Sequence, residues 1–375
     1  MTSQPPIAIN ITASPVQNLD QLQRQWLELE GQSSGHSFFV SWHWIGAWLR
    51  NLPASIQPQL LRVNDAGKTI GLGILVSGTS RILKIFQLPQ ISLNETGDPA
   101  FDTLTTEYNG LLTADGYGAP ATQAALDWIL GTANQERVLS LGGVDDQTSE
   151  LAANSALHHG HSVRIINCAD APWVDLDAIR SSGKTYLDRL SRNSRQALRR
   201  ELRRYETIGP LKYQVANTTT EALENFAALG QLHQTRWKSK GKPGAFAQEF
   251  FAKFHNDLIA SAFAGGHIEM ANISAGGELI GYLYNFKWRG NVYAYQSGFN
   301  YDDNYEYKPG YVSHYLAILY ALESGQSCYD FMAGYGQHKS SLSTETRHLH
   351  WLQIRPKHIL VRLENRIRKL VNWPV

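Results

Sequence analysis

IEMANISAGGELIGYLYNFKWRGNVYAYQSGFN, residues 268–300, runs on through YDDNYEYKPGYVSHYLAILYALESGQSCYDFMAGYGQHK to Lys339, and its reading decides the fold. Ile268–Ser274 and Glu278–Trp288 read as strands joined by the turn Ala275-Gly276-Gly277. A second turn, Arg289-Gly290-Asn291, leads into a third strand, Val292–Ser297. β-Branched and aromatic residues fill the runs and glycines punctuate them, as antiparallel hairpins require. A polar loop, Asn300 to Lys308, then ends at Pro309-Gly310, the mouth of a helix. Val312, Tyr315, Leu316, Leu319 and Leu322 give that helix an apolar stripe at spacings of three and four, and Gly325 stops it. A short strand, Cys328–Met332, follows, then Gly334 and Lys339.

The loop-to-helix step carries the chemistry. Proline in the first helical turn sacrifices no hydrogen bond, because the first amides lack a partner inside the helix. Glycine beside it admits a ligand close to the backbone, and the positive end of the helix dipole makes a seat for a pyrophosphate. Lys308 stands next to that seat. The plainer alternative is that Pro309-Gly310 only starts a helix.

Composition narrows the class. A chain of 375 residues has about twice the usual domain length, so two domains or one duplicated unit is the expectation. Hydrophobic residues make up 43% and aromatics 11%, which suits a packed globule. No apolar run approaches the roughly 20 residues that span a bilayer. Met1 to Ser14 has neither a basic start nor an apolar core, so it does not read as a signal peptide. Cys168 and Cys328 lie in different halves without metal or redox spacing, and a reducing cytoplasm is the expected location. His158, His159 and His161 lack the helical spacing of metal ligands, and no metal is expected.

The wording of the decisive stretch resembles the GNAT acyltransferases, in which pantetheine lies between two splayed strands and the pyrophosphate caps the next helix. GYLYNFKWRGNVYAYQSGF, KPGYVSHYLAI, YDFMAGYGQHKSSL and the upstream LHQTRWKSKGKPGAF are similar to the large two-domain bacterial members, the CelD-like or cellulose-biosynthesis branch, related to the Fem peptidoglycan transferases. The likeness runs from about Ser181 to about Ile354 and continues more weakly through FVSWHWIGAWL and EYNGLL. The branch often carries Tyr-Lys where this chain has His338-Lys339, and the glycine-rich signature is reduced to Lys308-Pro309-Gly310.

The resemblance implies an α/β (α+β) chain of tandem GNAT-like domains, each a mixed, largely antiparallel sheet flanked by helices. The expected boundaries are 1–175 and 176–375, the second holding an acyl-CoA site. It also implies acyl transfer, probing acetyl-CoA first, from coenzyme A to an amine by direct attack on the thioester. The acceptor would be a small molecule or a polysaccharide or peptidoglycan precursor. The rivals are a Fem-like aminoacyltransferase using charged tRNA and a non-catalytic scaffold in exopolysaccharide or cell-envelope synthesis. Gln296, Lys308, Pro309, Gly310 and Tyr311 are the expected cofactor contacts.

In the first half, Thr69–Gly78, Arg81–Leu88 and Tyr108–Thr113 read as strands, followed by a helix from about Ala119 to Leu130 and a strand Arg137–Leu141 ending in Gly142-Gly143. The same order in both halves predicts a repeat of topology. Between them lies a basic segment. Lys184 to Arg204 holds eight basic and two acidic residues, +6, which leaves −5 for the remainder of a chain of net +1. Read as one helix over 184–206, it aligns Arg192, Arg195, Arg199 and Arg203 on one face, as forks for phosphate or carboxylate. The first three are the candidate acceptor contacts; a solvated face is the alternative. Nucleic acid is not expected, with a pI near 7.8 and no reader motif.

Acyl transfer to an amine needs a base for the amine, polarisation of the carbonyl and a stabilised thiolate. His233 in LHQTRW and Asp330 in YDF are the base candidates, each equally readable as structural. Lys339 follows a glycine-flanked turn, and the Fem relatives place a lysine there against the reacting groups. Tyr295 is the candidate donor to the thiolate, with a packed aromatic meander as its alternative. In NETGDPAFDTLTTEYNGLL, Glu95, Glu107 and Asn109 are candidate acceptor contacts. The C-terminal helix, 357–371, sets Ile359, Leu360, Leu363, Ile367 and Leu370 against Arg362, Arg366, Arg368 and Lys369. It reads as a packed closing helix, with a membrane-surface contact as the alternative.

Overall fold

The computed structural model describes residues 9–83, 85–131, 136–301, 307–334 and 336–371. The polar loop leading to Pro309 falls partly outside them. The chain is a mixed α/β protein of two compact units. One comprises Met1–Ala169 with His348–Val375, the other Asp170–Arg347.

In the first unit, the order is β1 (Ile9–Pro15), α1 (Leu19–Glu30), α2 (Trp42–Asn51), β2 (Gln59–Asp65), β3 (Lys68–Ile82) and β4 (Phe86–Leu93), continuing with β5 (Leu112–Thr113), α3 (Gly118–Gly131), β6 (Val138–Val144) and α4 (Asp146–His158). β7 (Ser162–Asp175) leads into the second unit. There follow α5 (Leu176–Ser182), α6 (Tyr186–Arg189), α7 (Arg192–Glu206), β8 (Leu211–Val215), α8 (Thr219–Ser239), α9 (Glu249–Ala262), β9 (Ile268–Ala275), β10 (Glu278–Trp288), β11 (Asn291–Phe299), α10 (Pro309–Glu323), β12 (Cys328–Asp330) and α11 (Gln337–Leu342). β13 (Glu345–Arg355) returns to the first unit, and α12 (Ile359–Val371) ends the described chain.

The two sheets repeat one another strand for strand. In the first unit β1-β2-β3-β4 are antiparallel neighbours, β4 pairs parallel with β6, and β6 antiparallel with β13. In the second, β8-β9-β10-β11 are antiparallel, β11 pairs parallel with β12, and β12 antiparallel with the end of β7. A parallel pair needs a crossover, which α3 and α10 provide. The last strand of each sheet is supplied out of turn: β13, which follows the second unit in sequence, completes the first.

Burial explains that assignment and moves the expected boundary at 175/176. Leu352 and Ile354 of β13 are buried among Leu61, Val63, Leu126 and Leu139, the core of the first unit. The second unit has its own core, with Leu198, Ile273, Leu283, Val312, Ile318 and Phe331 fully or nearly fully buried. Burying such side chains stabilises each unit by about 1.5–3 kcal/mol apiece. Residues 348–371 therefore belong with the first unit and not, as their sequence position suggested, with the second.

Other boundaries also shift. β3 runs through Gly78 to Ile82, β2 is a strand the sequence reading passed over, and 108–113 contributes only the two residues of β5, paired to β3. The basic segment is not one helix. It breaks at Leu190, whose φ and ψ are −78° and 152°, and Ser191 caps α7 afresh by accepting from the Ser194 N–H.

Candidate active site

The site lies where β11 and β12 part. They pair only through Asn291–Cys328, Val292–Tyr329 and Tyr293–Asp330, while β11 continues to Phe299. Beyond Tyr293 no described strand pairs with that edge of β11, so a run of backbone amides and carbonyls faces the opening. Unpaired strand edges bind extended chains through main-chain hydrogen bonds.

Asp330 stands at the last paired position of the two strands. It is fully buried, its Oδ1 accepts the Met332 N–H at 2.6 Å, and Arg347 stands 3.5 Å from Oδ2. That guanidinium also lies 4.2 Å over the Trp173 ring. Met332, at φ +60°, and Gly334, at φ +117°, then turn the chain sharply. A carboxylate so occupied braces a turn.

Lys339, on α11, closes the same turn: its Nζ donates to the Met332 carbonyl at 3.2 Å and the Ala333 carbonyl at 2.9 Å. Beside it stands His338, whose role the sequence reading missed. Its ring stacks on His314, with centroids 5.2 Å apart. His314 Nδ1 is 2.8 Å from the Tyr329 hydroxyl. Burial, and secondarily the Lys339 charge, holds the His338 pKa down to about 4, and His314 lies well below the ordinary range. Both imidazoles are neutral at physiological pH. The only sequence signal for His338 was its place one residue before Lys339.

The start of α10 forms the other wall. Lys308 is the N-cap and Pro309 the first helical residue. A Cβ added to Gly310 would sit 3.4 Å from the Phe299 ring and 3.7 Å from His338, ordinary contacts. The fold itself therefore does not require glycine there. The Lys308 N–H donates to the fully buried Glu201 at 3.3 Å, and Arg200 and Arg204 each approach that carboxylate to 3.5 Å. Two guanidiniums and the Lys308 backbone amide thus surround one carboxylate. Lys308 Nζ lies 5.5 Å over the Tyr311 ring, whose hydroxyl donates to Ser341 at 3.1 Å. Lys308, Pro309, Gly310, Tyr311, His338 and Lys339 thus come from two helices into one neighbourhood.

Two candidates lie elsewhere. β10 and β11 slip register between Tyr284–Gln296 and Asn285–Ala294, which leaves Tyr295 as a bulged residue. Its hydroxyl, 3.1 Å from His255 Nε2, sits in a buried nest with Tyr284, Phe251 and Phe286. Tyr295 is thus packed among aromatic side chains, and neighbouring Gln296 keeps partial exposure. His233 is buried against Trp237 and Phe246, and burial lowers its pKa. That placement is an aromatic pocket of α8 and the loop at Gly244, which would put an added Cβ 3.2 Å from the His233 ring.

Along α7, Arg192 and Arg199 are exposed, while Arg195 is half-buried and 3.7 Å from Asp188. Arg199, Arg200, Arg203 and Arg204 line a surface depression with Gln196 and Thr207. In the first unit, the corresponding splay of β4 and β6 is filled by the chain itself. Asn109 donates to the Leu93 carbonyl at 2.8 Å, its own N–H meets the Gly143 carbonyl, and Glu107 is buried. Glu95 packs on Gly142, and burial, then Asp102, pushes its pKa up to about 8. Among the described residues no group of three or more His, Cys, Asp or Glu side chains could hold a metal, and no helix is long and apolar enough to cross a membrane.

Residues 192–340 match the acetyltransferase (GNAT) domain family. No curated protein matches the chain. Among solved structures, that of FemX superposes with a TM-score of 0.57 at 11% identity, over 96% of this chain and 100% of its own. The C-terminal domain of a putative lysylphosphatidylglycerol synthetase from Agrobacterium fabrum gives 0.54 at 8%, covering 94% and 97%. L-PGS from Bacillus licheniformis gives 0.51 at 11%, again over 94% and 97%. At such identities the likeness is one of fold. The match to the acetyltransferase (GNAT) domain family thus falls within the second unit, and the overall fold is similar to that of FemX.

Proposed function

We propose that the protein transfers an acyl group from coenzyme A to an amine. The observation that carries this is the parting of β11 and β12 in front of the α10 start. The unpaired β11 edge suits the amide-bearing arm of the cofactor. The α10 start, with Lys308, Arg200 and Arg204, suits its pyrophosphate. Glu201 opposes an anion there, but the cations outnumber it.

In this reading the amine nitrogen attacks the thioester carbonyl carbon. The C–N bond forms, the C–S bond breaks, and the amine proton is relayed through the imidazole of His338 to the departing thiolate, which leaves His338 neutral again. Lys339 and Asp330 hold the turn that presents His338. Acceptors of the peptidoglycan-precursor or polysaccharide kind remain part of the proposal, as does a role for Glu95 in the first unit.

Calorimetry with acetyl-CoA and longer acyl-CoAs tests the reading. Gly310→Val, checked for folding by its melting temperature, should weaken binding at least tenfold because its side chain crowds the backbone approach. Unchanged affinity in the folded variant removes the α10 seat.

The exposed arginines of α7 favour a second reading, an aminoacyl-tRNA donor. Changing Arg192, Arg195 and Arg199 to glutamine separates the two. Loss of tRNA binding with acyl-CoA binding intact supports the tRNA donor; a raised acceptor Michaelis constant supports an anionic acceptor.

A further inference from the structure

Away from this site, the first unit carries an amphipathic surface with a specific composition. α12 buries Val361 with Ile82, Leu88 and Val138, and Leu360 and Leu83 pack on that small cluster. Its opposite side leaves Ile359 75% and Leu363 45% exposed, with Arg362 and Arg366 also exposed. These four positions, spaced three, four and seven from the first, share one helix face. The β3–β4 turn extends the surface. The Leu83 N–H donates to Glu364 of α12 at 3.3 Å, which ties the turn to the helix. Past that tie Ile85 is 75% and Phe86 41% exposed.

The charges are sorted as well. Glu364 is the one acid of α12 and is 3% exposed. It faces inward, bonded to the Arg355 guanidinium, to Arg368 at 3.3 Å and to Leu83, with Arg164 at 3.7 Å. The outward face is therefore apolar and cationic, with no acid of the helix on it.

We infer that this surface docks on an anionic lipid bilayer, with Ile359, Leu363, Ile85 and Phe86 in the headgroup region and Arg362 and Arg366 against lipid phosphates. Apolar side chains flanked by cations match an interface whose outer layer is negative and whose inner layer is apolar. A protein partner fits less well, because six outward positions of this one face offer no carboxylate and no neutral hydrogen-bonding side chain.

Flotation of the full chain with vesicles of pure phosphatidylcholine, or of phosphatidylcholine with 30% phosphatidylglycerol, tests this. Binding should occur on the anionic vesicles and fall with salt. Arg362→Gln with Arg366→Gln should weaken it roughly 30-fold, at about 1 kcal/mol per surface cation. Ile359→Asn with Leu363→Asn should abolish it, and Leu157→Asn, at an exposed apolar residue of α4, should leave it unchanged. Melting temperatures near the parent's confirm that the variants fold. Absent binding to anionic vesicles, or binding indifferent to both double variants, overturns the inference. So does a concentration-dependent dimer lost in Ile359→Asn with Leu363→Asn, which would assign the face to a second copy.

Discussion

The ring of His338 lies 12° from parallel to that of His314, a stack of two uncharged imidazoles beside the Lys339 ammonium. Protonating either would bring a second cation next to Lys339 in a half-dry site. Between about pH 6.5, the ordinary value, and about pH 4 the unfolded chain therefore binds protons that the folded chain refuses. Stability should be level above pH 6.5, fall as pH drops, and level again below 4, with His338 contributing roughly 2 kcal/mol. Urea midpoints across this range check it. His338→Phe, which keeps a stacking ring, should reduce the acid loss, and an unaltered profile would clear His338 as its source.

Glu95 carries the opposite dependence. With its pKa raised to about 8, the folded chain holds a proton that the unfolded chain releases above about 4.5. Its contribution is present below 4.5 and lost as pH rises through 8. Glu95→Gln should leave stability near pH 4 unchanged and raise it at pH 8.5 by about 2 kcal/mol, reduced from the full shift because the side chain is partly open to water. Equal effects at both pH values would mean that the carboxyl is already ionised.

Lys339→Ala removes two hydrogen bonds to the Met332 and Ala333 carbonyls as well as a charge beside His338. Unfolding free energy should drop by about 1–2 kcal/mol. Turnover should fall at least tenfold, about 1.4 kcal/mol of barrier. A variant with full activity would confine the lysine to bracing the turn.

Gly298 lies where β11 meets α8: a Cβ there would be 2.5 Å from the Leu229 carbonyl oxygen. Because the obstacle is backbone, helix and strand must separate. Gly298→Ala should destabilise by about 2–3 kcal/mol in chemical denaturation, whereas Gly310→Ala, with its nearest contact at 3.4 Å, should cost little.

How much of this was written in the sequence follows from range. β10 runs from Glu278 to Trp288 as read, because local alternation and two glycine turns bound it. α10 begins at Pro309 for the same reason. In the first unit Ser77-Gly78-Thr79-Ser80 has the composition of a turn yet sits inside β3, and the actual turn uses Leu83 at φ +52°. Pairing with β4 overrode local preference there. The bulge at Tyr295 was not legible, because a bulge depends on the register between two strands. Asp330 could not be seen as Arg347's partner, since that contact depends on tertiary folding. The helix start at Pro309-Gly310 was legible; the Glu201 carboxylate beside it was not.

The out-of-turn placement of β13 bears on how the protein comes off the ribosome. When Ala169 has been made, β6 still lacks the neighbour on which Leu352 and Ile354 lie, and its edge is bare. Residues 170–347 must be translated first. At about 5–20 residues per second that takes roughly 10–40 s. The first unit therefore waits, open along one edge, for β13 to be made. A transcript ending after the second unit would leave that edge permanently open, and the truncated product would be the one that aggregates.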